Sequence, residues 1–213
     1  MKRVIIVFIM LLVTTVVSNA QFFVDGDLDV TFEKYSFECE NVKTPLSHFT
    51  IIVSPQVGYW MNDKVAVGAR VSFITRHQKA MTTNTEEQRI EIKTWTPGCG
   101  FSVFGRYKLW STEKLSILAE SSIGIGGNLT KEKIGSTTEK LNSTSSIAIH
   151  LVPMITYDLS EKFSVKAICD FLDLGYDFIR TKYESNNRKS TFSRLGFGLQ
   201  SSTYVRIGFI YNF

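Results

Sequence analysis

The sequence predicts an all-β fold: an eight-stranded antiparallel up-and-down transmembrane β-barrel with short turns at one end and four longer loops at the other. Three observations carry this. The closing stretch, residues 195–213, alternates, with Leu195, Phe197, Leu199, Thr203, Val205, Ile207, Phe209, Tyr211 and Phe213 on one face. Arg194, Gly198, Gln200, Ser202, Tyr204, Arg206, Gly208, Ile210 and Asn212 occupy the other face, and a period of two held this long belongs to a strand. The same pattern recurs upstream with charges and hydroxyls on the alternate positions, which suits a wet interior behind a greasy exterior. Finally, short and long polar connections alternate along the chain, as a membrane barrel with unequal ends requires.

Taken in order, residues 1–20 read as a cleavable export signal, with Lys2 and Arg3 before an apolar run and Ser18-Asn19-Ala20 as the cleavage site. Residues 21–213 are expected to form the barrel domain. Removing Lys2 and Arg3 leaves 22 basic against 20 acidic residues, a balance that gives no argument for nucleic-acid binding. Downstream of the signal no apolar run is long enough for a spanning helix, so membrane insertion falls to strands. Cys39, Cys99 and Cys169 have no metal or redox spacing and are expected to stay unpaired.

The first strand sets Phe22, Val24, Leu28, Val30 and Phe32 against Asp25, Asp27, Asp29, Thr31 and Glu33. Aspartates at alternate positions are tolerable only on a wet lumen. Residues 36–47, which include Pro45, read as loop. Two strands follow as a hairpin across Asn62-Asp63: Phe49, Ile51, Val53, Pro55, Val57, Tyr59 and Met61, then Val65, Val67, Ala69, Val71 and Phe73. Residues 77–94 read as a second long loop, with Ile90 and Ile92 able to prolong a strand beyond the membrane.

The fourth and fifth strands present Trp95, Phe101, Val103, Tyr107 and Leu109, then Leu115, Ile117, Ala119, Ile123 and Ile125, joined near residue 111. After a polar loop at 128–144 come Ile147, Ile149, Leu151, Pro153, Ile155 and Tyr157, then Phe163, Val165, Ala167, Cys169 and Phe171. At Phe171-Leu172 the apolar parity flips to Leu172, Leu174, Tyr176 and Phe178, which predicts a β-bulge of one extra residue. Residues 180–193 form the last polar loop before the closing strand. Tyr59, Trp60, Tyr107, Trp110, Tyr157, Tyr211 and Phe213 gather near the short-turn end as an aromatic girdle.

A repeat reinforces this register. Pro55-x3-Tyr59-x3-Asp63-Lys64 returns as Pro153-x3-Tyr157-x3-Glu161-Lys162, with a looser copy at Glu113-Lys114. Prolines inside strands must occupy bulges or non-bonded sites. The run from Ser54-Pro55-Gln56-Val57-Gly58-Tyr59-Trp60 to Asp63-Lys64-Val65-Ala66-Val67-Gly68 resembles the outer-membrane β-barrel domain family, the small OmpA/OmpX-like barrels. The ending Tyr204-Val205-Arg206-Ile207-Gly208-Phe209-Ile210-Tyr211-Asn212-Phe213 resembles the aromatic signal by which the barrel-insertion machinery recognises such proteins. The resemblance implies a bacterial outer-membrane location, with lipid and lipopolysaccharide as surroundings. Unlike full-length OmpA-type proteins, the chain is expected to carry no peptidoglycan-binding domain after the barrel.

Catalytic, cofactor and metal constellations are not expected. His150 is placed inward beside Ser146, Thr156 and Glu120 or Lys166, a setting that suits either a general base or a satisfied lumen histidine. Asp25, Asp27, Asp29, Glu33, Glu120 and Asp170 point inward together with Arg70, Arg106, Lys166 and Arg206, and charges of both signs in a narrow lumen should pair. The eight other than Asp29 and Glu33 are expected to carry the salt-bridge network, and the whole set, with Trp60 and Phe104, to plug the lumen. Arg180, Lys182, Arg188 and Lys189 in the last loop are candidates for contact with lipopolysaccharide. The functional classes in play are a structural or recognition barrel, a lipid-modifying acyl hydrolase, an accessory of a secretion or assembly complex, and a small porin.

Overall fold

The computed structural model of the chain describes residues 22–39, 42–83, 89–198 and 205–213; residues 1–20, expected to be an export signal, and the 199–204 part of the closing stretch lie outside them. Among the described residues there are ten strands, each antiparallel to its neighbours in the sheet: β1 (Phe22–Cys39), β2 (Val42–Trp60), β3 (Val65–Thr83), β4 (Arg89–Ser111), β5 (Leu115–Ile134), β6 (Thr137–Asp158), β7 (Phe163–Cys169), β8 (Leu174–Tyr183), β9 (Lys189–Phe197) and β10 (Val205–Asn212). β7 and β8 share one stave of the wall, both pairing with β6, and β9 and β10 share the next. The β1–β10 pairing closes the ring at eight staves.

The exterior settles what surrounds this ring. Ile125 is 62% exposed, Leu28 59%, Ile207 58% and Phe73 54%, each on the outward parity of its strand. A contiguous apolar surface of this kind is untenable in water and is what lipid requires. Inside, Asp25, Asp27, Arg106, Glu120 and Lys166 are buried. The alternation therefore runs greasy out and charged in, as the sequence predicts.

The three short turns share one construction. Asn62 Oδ1 accepts from Val65 N at 2.9 Å, Thr112 Oγ1 from Leu115 N at 3.1 Å and Ser160 Oγ from Phe163 N at 3.1 Å. A side-chain oxygen thus stands in for a turn carbonyl in each case. The Lys64, Lys114 and Lys162 carbonyls then accept from Lys108, Asp158 and Asn212 N, all at 2.8 Å. The repeated acid-lysine pairs mark positions where each turn is tied to a neighbouring stave.

The prolines obey the same accounting of backbone donors. The β2–β3 ladder skips from Val53↔Phe73 to Gln56↔Arg70, which leaves Pro55 in the gap. Pro153 falls where β6 changes partner, between Met154↔Ile168 and Leu151↔Leu174. Neither is asked to donate a ladder bond on that side.

Three expectations need correction. The long connections are not open loops over their whole length. Pairing continues through Cys39↔Val42, Thr83↔Arg89, Ile134↔Thr137 and Lys182↔Lys189, so all four rise as β-ribbons above the apolar band. Beyond the membrane both faces of a strand are wet, so the period-two signal vanishes while the backbone still pairs. The parity flip near Phe171 is larger than a one-residue bulge. Three steps along β6 face six along its partner stave, and Asp170–Leu172 forms a 3-10 turn. Among the described residues the closing stretch contributes two strands, β9 and β10, with Gly198 at φ +65° after β9, a conformation glycine adopts without strain.

Candidate functional site: the lumen

The lumen holds one continuous ionic network. Arg106 from β4 donates from Nη2 to Asp25 Oδ2 of β1 at 2.5 Å, and from Nε to Glu120 Oε2 of β5 at 2.8 Å. Arg70 from β3 also pairs with Glu120. Lys166 of β7 lies between the two β1 aspartates, 2.6 Å from Asp25 Oδ1 and 2.6 Å from Asp27 Oδ1. Arg206 of β10 clamps Asp170 with Nε at 2.5 Å and Nη2 at 2.7 Å, and its Nη1 comes within 4.0 Å of Asp27.

The structure brings eight of the ten inward charges expected from the sequence into this cluster; Asp29 instead accepts from Thr31 Oγ1 at 3.1 Å, and Glu33 lies 3.5 Å from His48 Nδ1. Four carboxylates (Asp25, Asp27, Glu120, Asp170) face four cations (Arg70, Arg106, Lys166, Arg206), so the cluster is neutral. Gln56 is a member that charge patterning misses. Its Oε1 accepts from Arg70 Nη2 at 3.0 Å and from Arg106 Nη2 at 3.2 Å, while its Nε2 donates to Asp27 at 3.2 Å. The available signal is its inward parity on β2 together with its place opposite Arg70 in the ladder.

Aromatic rings close the short-turn side of the network. Phe23, Ala66, Phe104 and Ile210 form one buried cluster and Leu118, Val152, Met154 and Ile168 another, with Trp60 packed against both. Trp60 therefore belongs to the interior, not to the outer girdle. The Arg106 guanidinium lies 5.0 Å from the Phe23 ring centre and 4.7 Å from that of Phe104, so it has π faces as well as carboxylates around it. Of the remaining girdle residues, Tyr107, Trp110, Tyr157, Tyr211 and Phe213 are exposed, as aromatics at a membrane interface would be, while Tyr59 is half-buried against the Phe22 ring.

A second cluster sits at the break between β7 and β8. His150 does not meet Glu120 or Lys166; those side chains are committed to the network below. Its Nδ1 lies 2.6 Å from Asp173 Oδ2 and its Nε2 3.2 Å from Asp177 Oδ1, and Arg194 Nε reaches Asp177 Oδ2 at 2.8 Å. The extra residues of the break carry Asp173 into the wall's inner face, which is why counting from a straight strand misplaces it. With a carboxylate at each ring nitrogen, His150 has no free nitrogen with which to take a substrate proton.

Of the four basic residues in the last connection, Arg180 and Lys182 end β8, Lys189 begins β9 and Arg188 lies in the turn between them. Lys182 comes within 3.9 Å of Glu184, which also pairs with Lys140 at 2.8 Å. The four share one hairpin tip. Cys99 and Cys169 are free thiols, the Cys39 side chain lies outside the described ones, and among the described residues no group of His, Cys, Asp and Glu is arranged to hold a metal ion.

No protein-family model matches the sequence, and no curated protein matches it either. Among solved structures, the chain is similar to a major outer membrane protein from Thermus thermophilus, with 14% identity, 91% of this chain and 99% of that one covered, and a TM-score of 0.48. It is similar to the outer membrane protein OprG from Pseudomonas aeruginosa at 14% identity, with 91% and 96% covered and a TM-score of 0.42. A third is Ail, the attachment invasion locus protein of Yersinia pestis, at 12% identity, 91% and 97% covered and a TM-score of 0.38. At such values the fold is read from the strand ring itself, which has the architecture of the small OmpA/OmpX-like outer-membrane barrels that the sequence resembles.

Proposed function

We propose that this chain is an integral barrel of a bacterial outer membrane, closed to solutes, with a structural or surface-recognition role carried by its four ribbons. Export would be directed by residues 1–20 and insertion by the aromatic C-terminal strand, through the barrel-insertion machinery. The short turns would face the periplasm and the ribbons the outside. The single observation that supports closure is the neutral network of buried charges backed by Phe23, Phe104 and Trp60. Side chains are expected to fill an eight-stranded barrel. In planar bilayers, pure folded protein should give no steady conductance. Stable, large single-channel currents would favour the small-porin reading and defeat this one.

The acyl-hydrolase reading draws on the His150–Asp173–Asp177 cluster beside the wall break. Both ring nitrogens are occupied, which favours a structural role in holding the displaced β8 against β6. Incubation with lipopolysaccharide separates the two: acyl release that disappears in His150→Ala would establish the enzyme. An accessory role would appear as a stable partner co-purifying from native membranes.

A further inference from the structure

Two stacked rows of side chains on the outer wall take no part in the lumen. The register aligns Phe32, Phe49, His77, Trp95 and Lys131 across β1 to β5. Two residues further toward the ribbon tips, it aligns Lys34, Ser47, Lys79, Lys93 and Lys133. Both rows keep the outward parity of the apolar band. Lys34 lies over the Phe32 ring at 5.3 Å and Lys131 over Trp95 at 5.8 Å, while His77 stacks on Trp95 at 6.1 Å.

Their height follows from strand geometry. Along β4, Trp95 stands twelve residues from Tyr107 of the short-turn girdle. At about 3.3 Å per residue and a tilt near 40°, that lifts Trp95 roughly 30 Å, about the thickness of the apolar band. The aromatic row therefore lies at the second interface, and the lysine row at the level of lipid headgroups.

Lys79, Lys93 and Lys133 are direct cross-strand neighbours, an arrangement that repels itself. Lys93 has Glu91 at 2.8 Å. Among the described residues, no carboxylate lies within ion-pairing distance of Lys34, Lys79 or Lys133. Between Lys34 and Lys79 the small Ser47 leaves a groove of about 460 Å³, bounded also by Pro45, Met81 and Glu91. Two lysines and a hydroxyl line it, with Pro45 and Met81 on its tip side and the aromatic row of Phe32 and Phe49 two residues below, and the one acid on its rim, Glu91, is paired with Lys93 and also feels the charge of Lys79.

Resting on the orientation proposed above, we infer that this double row binds a phosphorylated glycolipid of the outer leaflet. A phosphate would sit between Lys34 and Lys79, with the acyl chains running over Phe32 and Phe49. The anion relieves the repulsion along the lysine row, and the aromatic row fixes the depth at which the headgroup is held. This surface lies on β1 to β5, apart from the basic tip of the β8–β9 hairpin.

The test uses detergent-folded protein and native mass spectrometry with diphosphoryl lipid A, compared with the same lipid stripped of its phosphates. Each lysine at an anionic surface contributes roughly fivefold in affinity. The combined Lys34→Gln, Lys79→Gln, Lys93→Gln variant should then lose well over tenfold in lipid A retention, by the same rule. Arginine at the three positions should restore it, and Lys182→Gln with Lys189→Gln should leave it unchanged. Equal retention by the triple glutamine variant overturns the inference, as does undiminished retention of the dephosphorylated lipid. So does a larger loss from the hairpin-tip variant. Heat-dependent gel mobility of every variant is read alongside, because a chain that never folds as a barrel refutes the proposed function, whereas a folded barrel indifferent to phosphate refutes only this surface.

Discussion

Replacing Arg106 with methionine is the sharpest probe of the lumen. The arginine side chain is 1% exposed and bonds Asp25, Glu120 and Gln56, so water cannot take over its role. Its removal leaves Asp25 with Lys166 and Glu120 with Arg70, and gives the cluster a net charge of −1. Deleting one member of a buried ionic set costs about 3–5 kcal/mol. For a chain of this size, each kcal/mol lowers the melting temperature by about 2–4 °C, so a fall of roughly 10 °C is expected. Arg206→Met should cost less, because that side chain is 23% exposed and solvent can share its burden. The assay is the temperature at which the folded gel band converts to the unfolded one, supported by denaturant titration in vesicles. The decisive comparison is Arg106→Met combined with Glu120→Gln, which restores neutrality and should be more stable than the sum of the single effects implies. Strict additivity, or a shift of about 2 °C or less for Arg106→Met, would refute the coupled network.

Three further outcomes are expected. Truncating Phe23 and Phe104 to alanine removes the ring layer beneath the network and should produce brief ion-conducting openings in planar bilayers; a silent double variant would place the barrier wholly in the charges. A Cβ at Gly208 would lie 2.5 Å from the Gly26 carbonyl oxygen at the barrel closure, so Gly208→Ala should destabilise the barrel by about 1–3 kcal/mol in denaturant titration, and a neutral result would contradict so tight a closure. Lys140 holds the exposed Glu184 carboxyl below its ordinary range, mainly through their hydrogen bond. A depressed carboxylate stabilises its pair above the unfolded value and loses that stabilisation as pH falls through the lower folded one. The Glu184 carboxyl resonance should therefore titrate at lower pH in the wild type than in Lys140→Ala; equal midpoints would rule out the contact in solution.

Parity makes the lumen legible. Which face a strand residue occupies follows from counting, so Asp25, Arg106 and Lys166 can be assigned inward without knowing their neighbours. Which acid meets which base depends on stagger between staves, and no local pattern encodes that. His150 illustrates the gap: its partners Asp173 and Asp177 lie 23 and 27 residues away, across a break whose extra residues shift the register. Gln56 is hidden because a neutral amide is silent in a charge pattern, although its two ends can serve a cation and an anion at once. The ribbons are obscured for a different reason, since above the membrane nothing selects one face of a strand over the other.

The contact of Lys166 with Asp25 and Asp27 has a consequence for assembly. The partners sit on the seventh and first staves, far apart along the chain, and become neighbours only when the last stave docks on the first. Until that moment the lysine and both aspartates belong to an open, curled sheet whose inner surface must stay hydrated. A sheet in that state cannot give up its water to lipid one hairpin at a time without stranding these charges. Insertion and closure should therefore be concerted, with the ionic latch engaging as the seam zips, and a barrel lacking Lys166 should accumulate as a membrane-bound, protease-sensitive intermediate.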